Sequence, residues 1–329
     1  MIRVALLSFW HVHAGDYARQ AAEHPGVEIV AAWDDDPERG RARAADIGVE
    51  FTDDLDGLLA RSDVDAVICD TPTSMHPDIL VRAAKAGLHI FTEKVLATTL
   101  KDANRIVAAV DEADVVLTLS LPRLYDAYTQ TIKSVINSGV LGELTLARVR
   151  LSHGGAIADW LPAHFYDPET TGGGALIDLG CHPMYLTRLF LGGLPESLTA
   201  TFGRVTGRPV EDNAVAVLDY PSGAIGIAEA GFVNPANPFT IELHGTGGSL
   251  FYGTPDAKLL VRGSGDERFS EIPVRDRLPM AFAQWVEHIE NGTKAEENVV
   301  LGLDLTRLME ASTVSARSGE RVGLTSLAV

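Results

Sequence analysis

The chain is poor in cysteine, in positive charge and in long apolar runs. Only Cys69 and Cys181 carry thiols among 329 residues, too few for a disulfide framework, and both lie in apolar surroundings typical of buried free thiols. A reducing, cytoplasmic setting is the expectation. Lys and Arg number 27 against 45 Asp and Glu, for a formal net charge of -18. Such a balance argues against nucleic acid and anionic membrane as partners, because clustered cations are what hold a phosphate backbone. No stretch approaches the ~18 uninterrupted apolar residues of a membrane helix, and the apolar start ahead of His11 is shorter than a secretory core. Low-complexity segments and repeats are also missing. Small-molecule chemistry is the default that remains.

One further absence is local. The first third alternates apolar strands with helices: Arg3–Phe9, Val27–Trp33, Ala66–Asp70, His89–Thr92 and Val115–Ser120 read as strands. Ala14–Glu23, Pro37–Ile47, Leu55–Ala60, Pro77–Ala86 and Leu100–Glu112 read as helices between them. That order predicts a doubly wound parallel sheet covered on both faces. In such a sheet the first strand-to-helix turn normally carries G-x-G-x-x-G, so that backbone can approach a pyrophosphate at a helix amino end. Here those glycine positions hold Ser8, Trp10 and His13. With Phe9 and His11, these residues are the candidates for the phosphate side of a dinucleotide site. His11 and His13 are expected either to pack as a satisfied pair or to help hold the pyrophosphate; a metal is not expected on them.

Three other places in this half carry candidate chemistry. Asp34 ends the second strand, 21 positions past His13, where an acid usually accepts hydrogen bonds from the adenosine ribose. Asp35, Asp36 and Glu38 follow it, and four acids would repel a 2'-phosphate, so NAD is expected over NADP, although Arg39 and Arg41 stand nearby. Thr71, Pro72 and His76 fall in the turn after the third strand, at the carboxyl edge of the sheet where ligands of open α/β folds sit. Glu93 and Lys94 follow the fourth strand. A lysine emerging there is a candidate active-site cation.

The second half centres on Gly172–His182, GGGALIDLGCH. Three glycines break what precedes them, and an apolar pattern from Ala175 to Gly192 predicts one continuous helix. On it Asp178 and His182 stand four residues apart, one turn along a shared face. The pair reads equally as a proton-transfer couple or as a structural polar pair. Around it Leu144–Ser152, Ser197–Val205, Ala214–Tyr220, Ala224–Phe232, Phe239–His244 and Ser249–Tyr252 read as strands, a run that predicts a separate α+β domain.

The succession of TPTSMH (71–76), EK (93–94), GVLGEL (139–144), GGGALIDLGCH (172–182) and HGTGGSL (244–250) resembles the glucose-fructose oxidoreductase / inositol dehydrogenase (Gfo/Idh/MocA) family over nearly the whole chain. The resemblance implies a Rossmann domain over 1–120. It implies an α+β domain with a large, mostly antiparallel sheet over 121–329, whose closing helices can pack back on the first domain. An open sheet face as the interface of a homo-dimer or tetramer is also implied. The implied reaction is hydride transfer between a secondary hydroxyl of a sugar, polyol or cyclitol and a nicotinamide cofactor. In it His182 is general base, Lys94 stabilises the alkoxide, Asp178 bonds a neighbouring hydroxyl or holds His182, and Glu93 is a structural partner. Arg123, Tyr125, His153, Trp160, His164 and Tyr166 fall where the resemblance places substrate contacts. Two positions depart from the family pattern: Val95 stands where a proline commonly follows the lysine, and Tyr185 replaces the acid often found three residues after the histidine. Two other functions fit the residues. One is a non-redox sensor on the same fold; the other is a metal-dependent lyase or isomerase using Asp178 and His182 with His153 or His164 as a further ligand, for which no second ligand pair has diagnostic spacing.

Overall fold

A computed structural model describes residues 1–328 and divides into two compact units. The first joins Met1–Ser120 with Pro279–Leu303, and the second joins Leu121–Leu278 with Asp304–Ala328.

The first unit runs β1 (Ile2–Leu7), α1 (Ala14–Glu23), β2 (Val27–Trp33), α2 (Pro37–Ile47), β3 (Glu50–Phe51), α3 (Leu55–Leu59), β4 (Ala66–Cys69), α4 (His76–Lys85), β5 (His89–Thr92), α5 (Leu100–Ala113) and β6 (Leu117–Leu119). Its six strands are parallel in the order β3-β2-β1-β4-β5-β6. All four residues of β4 are buried, as expected of a strand with helices on both faces. The strand order reverses between β1 and β4, and the crevice at their carboxyl ends is the place where this architecture binds ligands.

A late segment completes this unit. The helix at Ala281–Asn291 lays Phe282 and Trp285 against Phe91 of β5, with ring centroids 5.6 and 5.7 Å away, and Tyr17 of α1 meets the same ring edge-on at 5.1 Å. The free edge of β6 is closed by the Asn298 side chain. Its amide oxygen accepts Leu119 N–H at 2.7 Å and its amide nitrogen donates to Leu119 O at 2.9 Å, so one side chain stands in for a seventh strand.

The second unit contains α6 (Ala127–Asn137), β7 (Leu144–Ser152), α7 (Gly155–Ala158), α8 (Pro168–Thr171), α9 (Cys181–Phe190), β8 (Ser197–Gly203), β9 (Asn213–Asp219), β10 (Ile225–Gly231), β11 (Phe239–Gly245), β12 (Gly248–Gly253), β13 (Lys258–Gly263), β14 (Ser270–Glu271) and β15 (Val322–Gly323). Its nine strands follow the order β14-β13-β12-β11-β7-β10-β9-β8-β15. Among the described strands only the β7–β10 pair is parallel. α9 covers β7 and β10, and Ala147, Val149 and Leu151 alternate inward beneath it. Arg148 and Arg150 alternate outward, where Arg148 Nε lies 2.6 Å from Glu229 Oε1 and Arg150 Nε 3.6 Å from Glu229 Oε2.

Three differences from the sequence reading have physical causes. The two-residue strands β3, β14 and β15 are too short to show a period, and β13 is isolated by the turn at 254–257 although Leu259 and Val261 alternate inward. The long helix expected from Ala175 to Gly192 is not α-helical throughout: Leu176–Gly180 forms a π-helical turn, and α9 starts only at Cys181. Pro183 explains the break, since it has no N–H to give to Leu179 O four residues earlier. Gly180 keeps the wide turn close to the sheet, because a Cβ there would sit 2.6 Å from Leu176 Cδ1 and 3.1 Å from Ala230 Cβ.

Candidate active site

In the first unit the turn after β1 is built without glycine. Ser8 adopts φ 72°, a left-handed conformation that disfavours a residue with a Cβ by roughly 1–2 kcal/mol. Polar contacts hold it there. Ser8 Oγ lies 2.6 Å from Asp35 Oδ1 as donor, and it accepts Trp10 N–H at 3.2 Å and Arg39 Nη2 at 3.3 Å. The Asp34 side chain is fully buried behind the turn. It accepts Phe9 N–H at 2.8 Å, Asp36 N–H at 2.8 Å and Arg39 Nη2 at 2.5 Å. Burial pushes the Asp34 carboxyl up, while Arg39 and the two N–H donors pull it back. His11 N–H donates to Asp70 O at 3.2 Å and His13 N–H to His11 Nδ1 at 3.3 Å. The amides of Phe9, Trp10, His11 and His13 are therefore committed inside the turn.

The other two turns meet this one at the carboxyl edge. His76 is wholly buried, with Nε2 3.2 Å from Thr71 O and Nδ1 3.1 Å from Val95 O and 3.2 Å from Leu96 O, so it clasps the turn after β4 to the segment after Lys94. Its ring is used in this clasp rather than presented to the crevice. Thr71 is buried too, with Oγ1 3.2 Å from Cys69 Sγ. Glu93 is the hub. Its Oε1 lies 2.8 Å from His13 Nδ1 and 3.6 Å from His11 Nδ1 and accepts the Tyr17 hydroxyl; its Oε2 accepts Lys94 N–H at 3.0 Å. Burial alone would raise the Glu93 carboxyl, yet His11, His13 and Lys94 together hold it well below the ordinary carboxylate range. Lys94 is itself mostly buried, and its peptide bond to Val95 is cis.

In the second unit the three glycines open a seat for a buried acid. Glu211 Oε1 accepts Gly174 N–H at 2.9 Å and Leu176 N–H at 3.0 Å, closing the start of the π turn. A Cβ on Gly174 would strike Glu211 O, so this position must be glycine. Asp178, half-buried, projects from the π turn, and His182, buried, from the first turn of α9. His182 Nδ1 lies 3.1 Å from the Tyr185 hydroxyl, which also accepts Arg123 N–H at 3.0 Å. Burial drives the Tyr185 phenol well above its ordinary range, so it stays neutral.

His153 joins this cluster. Its ring stacks on Phe232 with centroids 5.0 Å apart and planes 9° from parallel, and Trp160, 57% exposed, leans on it at 4.7 Å. Burial lowers the His153 pKa, and the charge of Asp178 acts against that shift. Arg123 spreads its guanidinium over Phe239 at 4.4 Å and donates to the Tyr128 hydroxyl at 3.2 Å. Tyr125 is buried and takes Leu278 N–H on its carbonyl. Tyr166 belongs to a packed core with Phe165, Leu161, Val210 and Phe232, under Arg208 at 4.2 Å, and His164 lies against Phe165. Of the expected substrate residues, His153 is electrostatically coupled to Asp178, and it carries Trp160 with it.

Sequence reasoning missed Tyr185 as a partner, treating it only as a departure, although three residues from His182 on a helix is contact distance. It also passed over Tyr17 and Glu211. Tyr17 bonds Glu93, 76 positions away, and Glu211 bonds Gly174, 37 positions away, so neither left a local signal.

A parallel sheet with its chemistry gathered where the strand order reverses, joined to a mostly antiparallel sheet bearing an acid and a histidine on one segment, is the plan of a two-domain Rossmann-class dehydrogenase. Residues 11–121 match the oxidoreductase family with an NAD-binding Rossmann fold, and residues 129–251 match the GFO/IDH/MocA C-terminal domain. The chain is 30% identical over 319 residues to scyllo-inositol 2-dehydrogenase (NAD(+)) of Bacillus subtilis strain 168, covering 91% of this chain and 90% of that one. It is 31% identical over 245 residues to 1,5-anhydro-D-fructose reductase of Ensifer adhaerens, covering 72% of each. Levoglucosan dehydrogenase, solved in complex with NADH and levoglucosan, shares the fold with a TM-score of 0.84 at 21% identity, over 98% of this chain and 99% of that one. The protein thus belongs to the Gfo/Idh/MocA family and is an oxidoreductase. Among the described residues no helix is long and apolar enough to cross a membrane.

Proposed function

We propose that the protein transfers hydride between a secondary hydroxyl of a sugar, polyol or cyclitol and NAD. The observation that carries this reading is the His182–Tyr185 pair. With Nδ1–H donating to the neutral phenol, Nε2 is the ring nitrogen left to take the proton of a substrate hydroxyl. Lys94 would stabilise the developing alkoxide, and Asp178 would accept a bond from an adjacent hydroxyl. Trp160, exposed and backed by His153, offers an apolar platform for the face of a sugar ring. The names of the relatives, an inositol dehydrogenase and an anhydrofructose reductase among them, support the same substrate class.

The first unit fits a nicotinamide dinucleotide in topology, with the reversal point and three turns at one edge. The bound cofactor supplies the hydride acceptor; the chain's own residues bind, orient and move the proton. NAD is favoured over NADP because Arg39, the cation nearest the ribose corner, is already paired to Asp34 at 2.5 Å and Asp35 at 2.9 Å. The outward ion-paired face around Arg148, Arg150 and Glu229 supports assembly between copies as a dimer or tetramer.

Titration with NADH and with NADPH, followed by nicotinamide fluorescence, tests the reading together with a panel of inositols and sugars. Tighter NADH binding is expected, with turnover on at least one cyclitol or pyranose. Lys94→Met and His182→Ala should abolish turnover while leaving NADH bound. Absence of dinucleotide binding at millimolar concentration would sink the proposal.

A further inference from the structure

The hub at Glu93 has the composition of a metal centre. His11 Nδ1, His13 Nδ1 and a carboxylate oxygen of Glu93 all lie within 4.8 Å of one another, the only such group of three His, Cys, Asp or Glu side chains among the described residues. His11 Nδ1 lies 3.6 Å and His13 Nδ1 2.8 Å from Glu93 Oε1. Two imidazole nitrogens thus converge on one carboxylate oxygen, the arrangement a shared cation would take. A second, independent observation concerns Asp70, whose backbone carbonyl holds the His11 N–H. Its side chain is fully buried, Oδ1 has no hydrogen-bond partner, and the Glu93 charge acts on it unfavourably. A buried carboxyl oxygen left unmatched is unfavourable, and a nearby dication would offset that.

We propose that His11, His13 and Glu93 bind a divalent transition-metal cation of the zinc class. Two imidazoles and one carboxylate suit first-row dications rather than Mg²⁺ or Ca²⁺, which take oxygen ligands. Ligand atoms ~2.0–2.2 Å from an ion can be up to ~4.4 Å apart, so small side-chain rotations close the 4.8 Å set. Three protein ligands leave further positions open. An ion there would place positive charge in a turn whose amides at Phe9, Trp10, His11 and His13 are already committed. The site does not depend on which substrate the enzyme uses.

The test uses the full chain, stripped with chelator and titrated with Co²⁺ while the visible d–d bands are recorded, then with Zn²⁺ by displacement. One ion per chain is expected. His13→Ala is the informative variant, because the His13 side chain is 41% exposed and its loss leaves the core intact. It should weaken Co²⁺ and Zn²⁺ by at least about tenfold with an unchanged circular dichroism spectrum. Tyr17→Phe, which removes the hydroxyl's bonds to Glu93 Oε1 and Ser120 Oγ but no ligand atom, should keep the bands. Less than stoichiometric binding, or equal affinity in wild type and His13→Ala, would overturn the proposal. NADH binding is measured separately, so failure of the metal site and failure of the dehydrogenase reading are told apart.

Discussion

The Tyr185 hydroxyl sits between His182 Nδ1, 3.1 Å away, and the Arg123 backbone N–H, 3.0 Å away, so one buried phenol ties the imidazole of α9 to the segment ahead of α6. It occupies the position where the family resemblance leads one to expect a carboxylate. A phenol held far above its ordinary pKa stays neutral, so it orients His182 through a hydrogen bond and not through a charge. Removing the hydroxyl in Tyr185→Phe leaves Arg123 N–H and His182 Nδ1 short of a partner. A loss of about 1–2 kcal/mol of stability is expected in urea unfolding. Turnover should fall by about tenfold in kcat and kcat/KM together, since a ring that is no longer held loses part of its general-base contribution. An unchanged kcat would show that the ring is positioned by something else.

His153 reports on the Asp178 charge. Burial lowers the His153 pKa and the Asp178 carboxylate opposes that shift. Asp178→Asn should therefore lower the His153 pKa further, read from the ring proton shifts in an NMR titration. A rise, or no change, would place the Asp178 charge elsewhere.

Much of the fold was legible because it rests on local period. α1, α2, β2, β5 and β7 run between the residues expected of them, since their apolar spacing and end residues, such as Asp36 capping α2, are sequence-local. The π turn was not legible from periodicity, because 3.6-residue spacing continues through Leu176–Gly180; the signal in the sequence is Pro183, which has no N–H for Leu179 O. Asp178 and His182 could be singled out from four-residue spacing. The partners Tyr185, Glu211 and Asp70 could not be ranked, because burial and unmatched oxygens are tertiary facts.

Ser8 shows how a glycine-free turn is paid for. At φ 72° its Cβ is unfavourable, and contacts to Asp35, Trp10 N–H and Arg39 compensate. Ser8→Ala keeps the Cβ and loses the contacts, so it should destabilise by about 1–3 kcal/mol. Ser8→Gly loses the same contacts and relieves the backbone, so it should melt above Ser8→Ala. If the two variants melt at the same temperature, the backbone at Ser8 carries no cost.

His76 sets an expectation for pH. Burial lowers its pKa from 6.5, with the carbonyls of Leu96, Thr71 and Val95 and the Glu93 charge acting the other way. The folded state therefore favours neutral imidazole, while the unfolded chain takes up a proton once pH falls through about 6.5. Between that value and the lower folded pKa the unfolded state binds more protons, so stability rises with pH there and is lost on acidification. The slope from this one group is at most about 1.4 kcal/mol per pH unit. His76→Gln should be less stable at pH 8, having lost the clasp between Thr71 and Val95–Leu96, yet its stability should fall less steeply between pH 6.5 and 5. Urea unfolding of both proteins across that range gives the difference directly; parallel curves would mean that His76 titrates in the fold as it does in the unfolded chain.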